Sequence, residues 1–179
     1  SSTSTANVVV YNTFTKQVMS APYQIDQYGP IYCEVSDGTV GDYSQDCTSE
    51  VTVANSNFRH RSLGGTSHFT STSGVITVKV GGTYRVSFTS VIGINTSDTA
   101  RTITYTYLRV NGTGELRGSR VYLYNRQTGE DEGTANRDMF VTLAADDTIE
   151  LRAGREAGTS SVVVKKWLTN LCLQRINSL

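Results

Sequence analysis

The clearest alternation of apolar and polar positions lies in residues 74–94. Apolar side chains occupy every second position in residues 76–80, and again in residues 84–92 except for Ser90, with Val86 among them. Such a period of two places the apolar side chains on one face of a β-strand. Because Gly81-Gly82-Thr83 separates the runs, we expect them to pair as an antiparallel hairpin. Each run then needs a second apolar layer to cover it.

Further short segments with strand composition follow one another along the chain, at spacings of about ten residues. The sequence contains no convincing helix pattern, no heptad repeat and no internal repeat. We therefore predict an all-β antiparallel sandwich, jelly roll or barrel. The predicted strand segments beyond the first hairpin are residues 7–14, 31–35, 51–54, 102–110, 120–125, 139–143, 149–151, 162–164 and 169–176.

The chain divides by regularity into two parts. Residues 1–68 contain both prolines, several glycine turns and a Ser/Thr tract, and they alternate less regularly than the remainder. We expect residues 69–179 to form the β-sandwich, with part of 1–68 joining the same compact unit. The rest of the first part is predicted to anchor the protein or to contact a partner.

Charge and cysteine content narrow the classes of partner. Sixteen basic and sixteen acidic residues give no net charge, so we expect no nucleic-acid partner and no attraction to an anionic membrane. No apolar run approaches the roughly 20 residues of a membrane span, and the first residues do not resemble a signal peptide. The three cysteines are Cys33, Cys47 and Cys172; the first two could bridge, or all three could be free thiols.

Three motifs in order make the chain resemble the C1q/tumour-necrosis-factor-like jelly-roll superfamily over residues 69–176. The first runs from Phe69 through Gly74-Val-Ile to Gly82-Thr-Tyr-Arg-Val-Ser, with isoleucine and valine where the family has phenylalanine. The second is Leu108-Arg-Val-Asn-Gly. The third is Val141-Thr-Leu-Ala-Ala-Asp-Asp-Thr-Ile-Glu-Leu, in which Asp146 replaces the family's glycine; aspartate tolerates a left-handed turn.

The resemblance implies a ten-strand jelly roll that assembles as a homotrimer and serves as a non-enzymatic recognition or structural head. A collagen stalk is absent from this sequence, and residues 1–68 lie outside the resemblance. The Ser/Thr/Gly-rich composition and this separate first third favour a bacteriophage virion protein, either a capsid decoration or head fibre or a tail-tip receptor-binding module. Its partners would be capsid or other virion proteins and a host-surface glycan or protein. The alternatives are a secreted or cell-surface C1q-type ligand-recognition head and a carbohydrate-active β-sandwich enzyme.

Two pairs of tyrosines are candidates for the trimer interface. Tyr105 and Tyr107 share one face of a predicted strand, as do Tyr122 and Tyr124 of the next one. Tyrosine offers a large contact area at low entropic cost, so both pairs could form an interface or a ligand platform. The other interpretation is core packing. We favour core packing for the first pair and the interface for the second.

Two charged segments are candidates for loop contacts with a ligand. Arg59, His60 and Arg61 could grip an anionic group, or they could form a solvated loop. Glu130, Asp131 and Glu132 offer oxygen ligands for Ca²⁺ but lack the spacing of a calcium loop, so a solvated turn is favoured and no metal or cofactor is predicted. Host contacts are expected in loops 95–100, 112–118 and 126–133.

Catalytic residues are scarce in this sequence. His60 and His68 are the only histidines, and neither has a nucleophile motif near it. Phosphate loops, zinc spacings and nucleophile elbows are absent. We therefore expect no enzymatic activity.

Overall fold

The structure, a computed structural model, describes residues 7–12, 17–22, 31–37, 44–62, 67–94, 101–126 and 132–178. Within these ranges the protein is built of strands, with one short 3-10 helix, η1, at Lys166–Leu168. The strands are β1 Asn7–Asn12, β2 Gln17–Pro22, β3 Tyr32–Ser36, β4 Ser44–Asp46, β5 Val51–Thr52, β6 Asn57–Arg61, β7 Phe69–Thr72, β8 Val75–Val78, β9 Gly82–Ile94, β10 Thr102–Val110, β11 Thr113–Glu115, β12 Val121–Asn125, β13 Gly133–Leu143, β14 Thr148–Ala157, β15 Val162–Lys165 and β16 Asn170–Ser178.

Two large antiparallel sheets form the body of the protein. In sheet I, β10 pairs with β11 and β12 on one edge and with β14 on the other, and β14 continues to β5, β8 and then β7. In sheet II, β9 pairs with β13 along one edge and with β15 and β16 along the other. Strand β4 extends sheet II beside β15, and β3 and β6 extend it beside β16. Strands β1 and β2 pair with each other in a separate two-stranded sheet.

The core lies between the apolar faces of the two sheets. Sheet II contributes alternate residues of β9, including the fully buried Val86, as the sequence pattern predicts. Sheet I contributes Ile76 and Val78 of β8 and Leu108 of β10. The predicted all-β jelly-roll sandwich is thus confirmed. The other large side chains that are buried in this core are Ile31, Phe69, Tyr84, Phe88, Ile92, Leu143, Ile149, Leu151, Leu171 and Leu173.

The predicted hairpin of residues 76–80 with 84–92 is wrong. Strand β8 lies in sheet I, where it pairs with β7 and β14, whereas β9 lies in sheet II. The backbone of Val78 exchanges hydrogen bonds with residues 146 and 147 at 2.7 and 2.9 Å, and the chain then crosses to the facing sheet. Alternation shows which face of a strand is buried but not which strand lies beside it. Two runs that bury against one core can pair side by side or face each other.

The turn chemistry explains where the chain reverses. Ser73 and Gly74 have positive φ values of 50° and 81° and connect β7 to β8, so the true hairpin begins one strand earlier than predicted. A Cβ atom on Gly74 would lie 2.0 Å from the Val53 carbonyl oxygen. Asn111 (φ 54°) also reverses the chain in the left-handed conformation, and the left-handed conformation expected of Asp146 is confirmed (φ 69°).

Part of the less regular first third of the chain belongs to the two large sheets. The predicted strands at 31–35 and 51–54 are found as β3 and β5, and β6 was missed. Strand β3 pairs with β16, and β5 pairs with β14. The anchoring role of the first residues stays a prediction. All three cysteines are free thiols, with Cys33 and Cys47 buried.

Candidate functional site

Tyr105 and Tyr107 are buried, but on the outer face of sheet I rather than in the core. Along β10, Leu108 points into the core, so the two tyrosines point away from it. Their exposed fractions are only 8% and 5% because polar side chains cover them. Both side chains are buried, as the core-packing interpretation expects, but neighbouring charged groups on this face bury them and they are not part of the apolar cluster between the sheets. Their proposed part in a trimer interface stays a prediction.

Glu50 is the centre of the polar layer that covers these rings. Its carboxylate accepts hydrogen bonds from the hydroxyls of Tyr105 and Tyr107, at 2.8 and 3.0 Å. It also accepts two from the guanidinium of Arg152, at 2.8 and 3.2 Å. Partial burial alone would raise the pKa of Glu50, but these donors outweigh it and the pKa is lowered. Through these hydrogen bonds Glu50 anchors the segment between β4 and β5 to sheet I.

Arg120 lies over the same tyrosines from the other side. Its guanidinium carbon is 4.3 Å from the ring centroid of Tyr105, 4.8 Å from that of Tyr107 and 5.7 Å from that of Tyr122. These are cation–π distances. The same guanidinium pairs with Glu115 at 2.7 Å. The segment that enters β12 is therefore held against the sheet, which orients the aromatic side chains of β12.

Tyr122 and Tyr124 protrude from β12, with exposed fractions of 49% and 66%. We call this pair the tyrosine edge. In the register of the sheet, Tyr122 lies opposite Tyr105 and Tyr124 lies opposite Ile103. The Tyr122 ring meets the Tyr105 ring edge to face, with centroids 6.5 Å apart. Two exposed aromatic rings, of which Tyr122 is supported by Tyr105 and Arg120, are suited to a contact with another molecule, as the sequence predicted for this pair.

The outer face of sheet II carries a second set of exposed apolar side chains. Phe140 of β13, Arg85 of β9, Gln174 of β16 and Tyr32 of β3 lie in one cross-strand row. The exposed fraction is 68% for Phe140, 42% for Tyr32 and 52% for Ile176 of β16. The row spans three strand spacings, about 14 Å. We call these five residues the sheet II face.

A fixed ion pair divides the sheet II face into two shallow depressions. Arg85 donates from Nε to both carboxylate oxygens of Asp138, at 3.0 and 3.1 Å. One depression lies beside Phe140 and Ile176, and the other lies beside Tyr32. The face therefore has apolar surface on both sides of Arg85, whose charge Asp138 neutralises. Such a surface suits a protein contact.

The basic segment forms strand β6 instead of the predicted loop. It pairs with β3, so that Arg59 lies opposite Glu34 and Arg61 opposite Tyr32. All three of its side chains are exposed, and His60 stacks on Phe58 with ring centroids 5.0 Å apart. The spacing of charges could not reveal the strand because β6 is an outer strand with little to bury. An anionic ligand for this segment stays a prediction.

The acidic segment and the predicted contact loops are only partly described. Glu130, Asp131, loop 95–100 and most of loop 126–133 lie outside the described residues. Glu132 is exposed, and its carboxylate lies 3.6 Å from the amine of Lys165. Loop 112–118 contains β11 and a turn with exposed side chains. No cluster of three potential metal ligands occurs in the part of the chain that the structure describes.

Several residues of these surfaces were missed from the sequence, although two of them carry a readable signal. Because Val141 and Leu143 point inward, Phe140 must point outward, and a large apolar residue there is unusual. The same reasoning from Leu171 and Leu173 finds Ile176. By contrast, Glu50 and Arg120 reach the tyrosines through tertiary contacts, so no local pattern identifies them.

Comparisons with known proteins show a likeness of fold. The chain matches no family model, and no curated protein matches it. Among solved structures, pika GITRL is similar, with 14% identity, 84% of this chain and all of that chain covered, and a TM-score of 0.49. Eiger TNF from S. frugiperda has 13% identity, 84% and 96% coverage and a TM-score of 0.49. Murine APRIL has 12% identity, 83% and 100% coverage and the same TM-score.

These three structures are jelly-roll folds of the tumour-necrosis-factor superfamily, and none of the three is a bacteriophage protein. At such identities the likeness concerns the fold alone, and TM-scores below 0.5 decide nothing about partners or activity. In the described ranges, no helix has both the length and the apolar character to cross a membrane.

Proposed function

We propose that this protein is a non-enzymatic jelly-roll head that works as a homotrimer, in which the tyrosine edge of one copy packs on the sheet II face of the next. The observation that carries the proposal is the sheet II face itself. The outer face of a sandwich sheet is normally polar, yet Phe140, Ile176 and Tyr32 expose large apolar side chains there.

The two apolar surfaces lie on different sheets, which supports a heterologous contact. The tyrosine edge belongs to sheet I and the sheet II face to the opposite layer. When two different surfaces of the same chain meet, a pair of copies still has one surface of each kind unpaired. A closed ring pairs every one of these surfaces. A ring of three leaves no tyrosine edge and no sheet II face exposed to water.

The finer part of the proposal concerns the place of the trimer. We infer display on a bacteriophage particle as a decoration, head fibre or tail-tip module, with the first residues docking to a virion protein. Three weak surface sites on one trimer would gain avidity for a host surface without new contacts. This part of the proposal rests on the Ser/Thr/Gly-rich composition of the sequence and on residues 1–68 lying outside the jelly-roll resemblance.

A mixing experiment tests the heterologous contact. Tyr124→Arg removes the tyrosine edge and keeps the sheet II face, whereas Phe140→Arg does the reverse. Each variant alone should be monomeric by light scattering. Mixed together, they should form a heterodimer, because one intact contact remains between the two variants. Thr70→Arg, an exposed position on β7 at the edge of sheet I opposite β12, serves as the control and should leave assembly unchanged.

Three results would contradict the proposed contact. If both variants remain trimeric, neither surface is the interface. If either variant alone still associates, the surface that it keeps meets its own copy and the contact is isologous. If each variant is monomeric and the mixture does not associate even under chemical crosslinking, the two surfaces do not meet each other.

The particle assignment has its own test. Mass spectrometry of purified virions should detect the chain in copy numbers that are multiples of three. Its absence from particles, together with accumulation in a secreted fraction, would support the alternative of a secreted C1q-type ligand-recognition head.

A further inference from the structure

The turn between β15 and β16 is held by an unusual number of polar contacts. Thr169 is buried, its hydroxyl donates to the Lys165 carbonyl at 2.9 Å, and its backbone N–H donates to the Lys166 carbonyl at 3.1 Å. The same hydroxyl accepts from the backbone N–H of Val91 at 3.2 Å, and the Thr169 carbonyl accepts from the side chain of Asn55 at 2.9 Å. The turn is therefore fixed by β9 of sheet II and by the connection between β5 and β6.

This fixed turn presents the sole tryptophan of the chain to solvent. Trp167 lies in the middle of η1, where no residue is buried, and 42% of its surface is exposed. An exposed indole leaves apolar surface in contact with water, which a polar residue at this position would avoid. Because the backbone around it is rigid, however, little entropy would be lost when a ligand packs on the ring.

The charges that flank Trp167 are already paired. The Lys166 amine lies 3.0 Å from the carboxylate of Asp37, which is buried, and the Lys165 amine lies 3.6 Å from that of Glu132. Both lysines that precede Trp167 in the chain are thus neutralised by described carboxylates, so neither offers an unpaired cation to an anionic ligand.

We propose that Trp167 is the stacking platform of a binding site for a neutral oligosaccharide. A pyranose ring has an apolar face of C–H groups that packs on an aromatic ring, and a rim of hydroxyls that need polar partners. The indole supplies the first, and the exposed carboxylate of Glu132 with the amine of Lys165 that pairs with it supplies acceptors and donors for the second.

The site differs from the two apolar surfaces of the proposed trimer. The other large exposed apolar side chains of the described residues lie on β3, β12, β13 and β16, whereas Trp167 lies in the turn of η1. A protein partner of ordinary size would need an apolar core around the ring, whereas the two residues that precede Trp167 are ion-paired lysines. The site does not depend on the trimer, although cyclic symmetry would set three copies of it at one level and add avidity.

The sole tryptophan makes binding directly measurable. The native protein is titrated with neutral oligosaccharides of glucose, galactose, mannose and N-acetylglucosamine up to millimolar concentration while indole fluorescence is recorded. At least one series should give a saturable change in emission. Calorimetry with the same sugar should show binding weakened about tenfold or more in Trp167→Ala and largely kept in Trp167→Tyr. Tyr124→Ala, which alters the tyrosine edge, should bind the sugar as the native protein does.

Other outcomes overturn the inference. If no sugar of the panel changes the emission, or if Trp167→Ala binds as tightly as the native protein, Trp167 is no carbohydrate platform. If the ring is protected only when the protein meets another macromolecule, the site belongs to a protein partner. Light scattering on the same samples reports the trimer separately, so the two proposals fail independently.

Discussion

Glu50 is predicted to be worth more to stability than its position at the surface suggests. Glu50→Ala leaves the hydroxyls of Tyr105 and Tyr107 and the guanidinium of Arg152 without four hydrogen bonds. Hydrogen bonds to a charged group contribute about 1.5–3 kcal/mol each, but the Glu50 side chain is 31% exposed, and the contacts are not additive. We therefore expect a loss of about 2–4 kcal/mol in the free energy of unfolding.

Urea unfolding measures this loss, and the native protein and the variant are compared at the same protein concentration because assembly makes the apparent stability depend on concentration. Glu156→Ala is the matched control, since this glutamate is 47% exposed and makes one 3.5 Å contact; it should change stability by less than about 0.5 kcal/mol. A loss below about 1 kcal/mol for Glu50→Ala would refute the assignment of the polar layer to Glu50.

The same group predicts a pH dependence with a definite sign. Burial raises the pKa of Glu50, but the hydrogen bonds from Arg152, Tyr105 and Tyr107 lower this pKa by a larger amount. The pKa of Glu50 in the folded protein therefore lies below the usual 4.5. A depressed carboxyl pKa stabilises the folded state above pH 4.5, and that contribution is lost as the pH falls through the folded value. The difference in stability between native protein and Glu50→Ala should therefore narrow below pH 4.5. A difference that stays constant down to pH 2 contradicts this reasoning.

Three further predictions concern the core, a turn and the sheet II face. Val86→Asp should abolish soluble folded protein, because an unpaired buried charge costs several kcal/mol, whereas Ser87→Asp on the opposite face of β9 should fold; a folded Val86→Asp would refute the core assignment. Gly74→Ala should lower the urea midpoint strongly, since its Cβ would lie 2.0 Å from a carbonyl oxygen at φ 81°; an unchanged midpoint would contradict this turn. Cys172 borders the sheet II face, and burial raises its pKa to about 11; alkylation should reach it before the two more deeply buried thiols, and more slowly in trimer than in monomer, with equal rates counting against that interface.

The sequence predicted the layers of the fold better than the neighbours within them. Alternation identified the buried face of β9 and of β8, since a period of two reports burial directly. It could not show that these strands lie in different sheets, because pairing depends on where the chain crosses at residues 79–81. The short strand β6 was missed for a related reason: its exposed basic side chains show no apolar face.

Prediction of the candidate surfaces was limited in the same way. The exposure of Tyr122 and Tyr124 followed from Val121 and Leu123, which pack against the core. The burial of Tyr105 did not, since it requires Glu50 and Arg120 from elsewhere in the chain. Side chains on an outer face are covered by tertiary contacts, which no local pattern contains.

The native mass in solution tests the proposed assembly most directly. Light scattering over a range of concentrations, with and without a chelator, should give three times the chain mass of 19.5 kDa in both conditions. A mass of 19.5 kDa at every concentration would contradict the trimer, and the tyrosine edge and the sheet II face would then have no partner in a second copy of this chain. Dissociation by the chelator would place a structural metal in the assembly, against the prediction that none is needed.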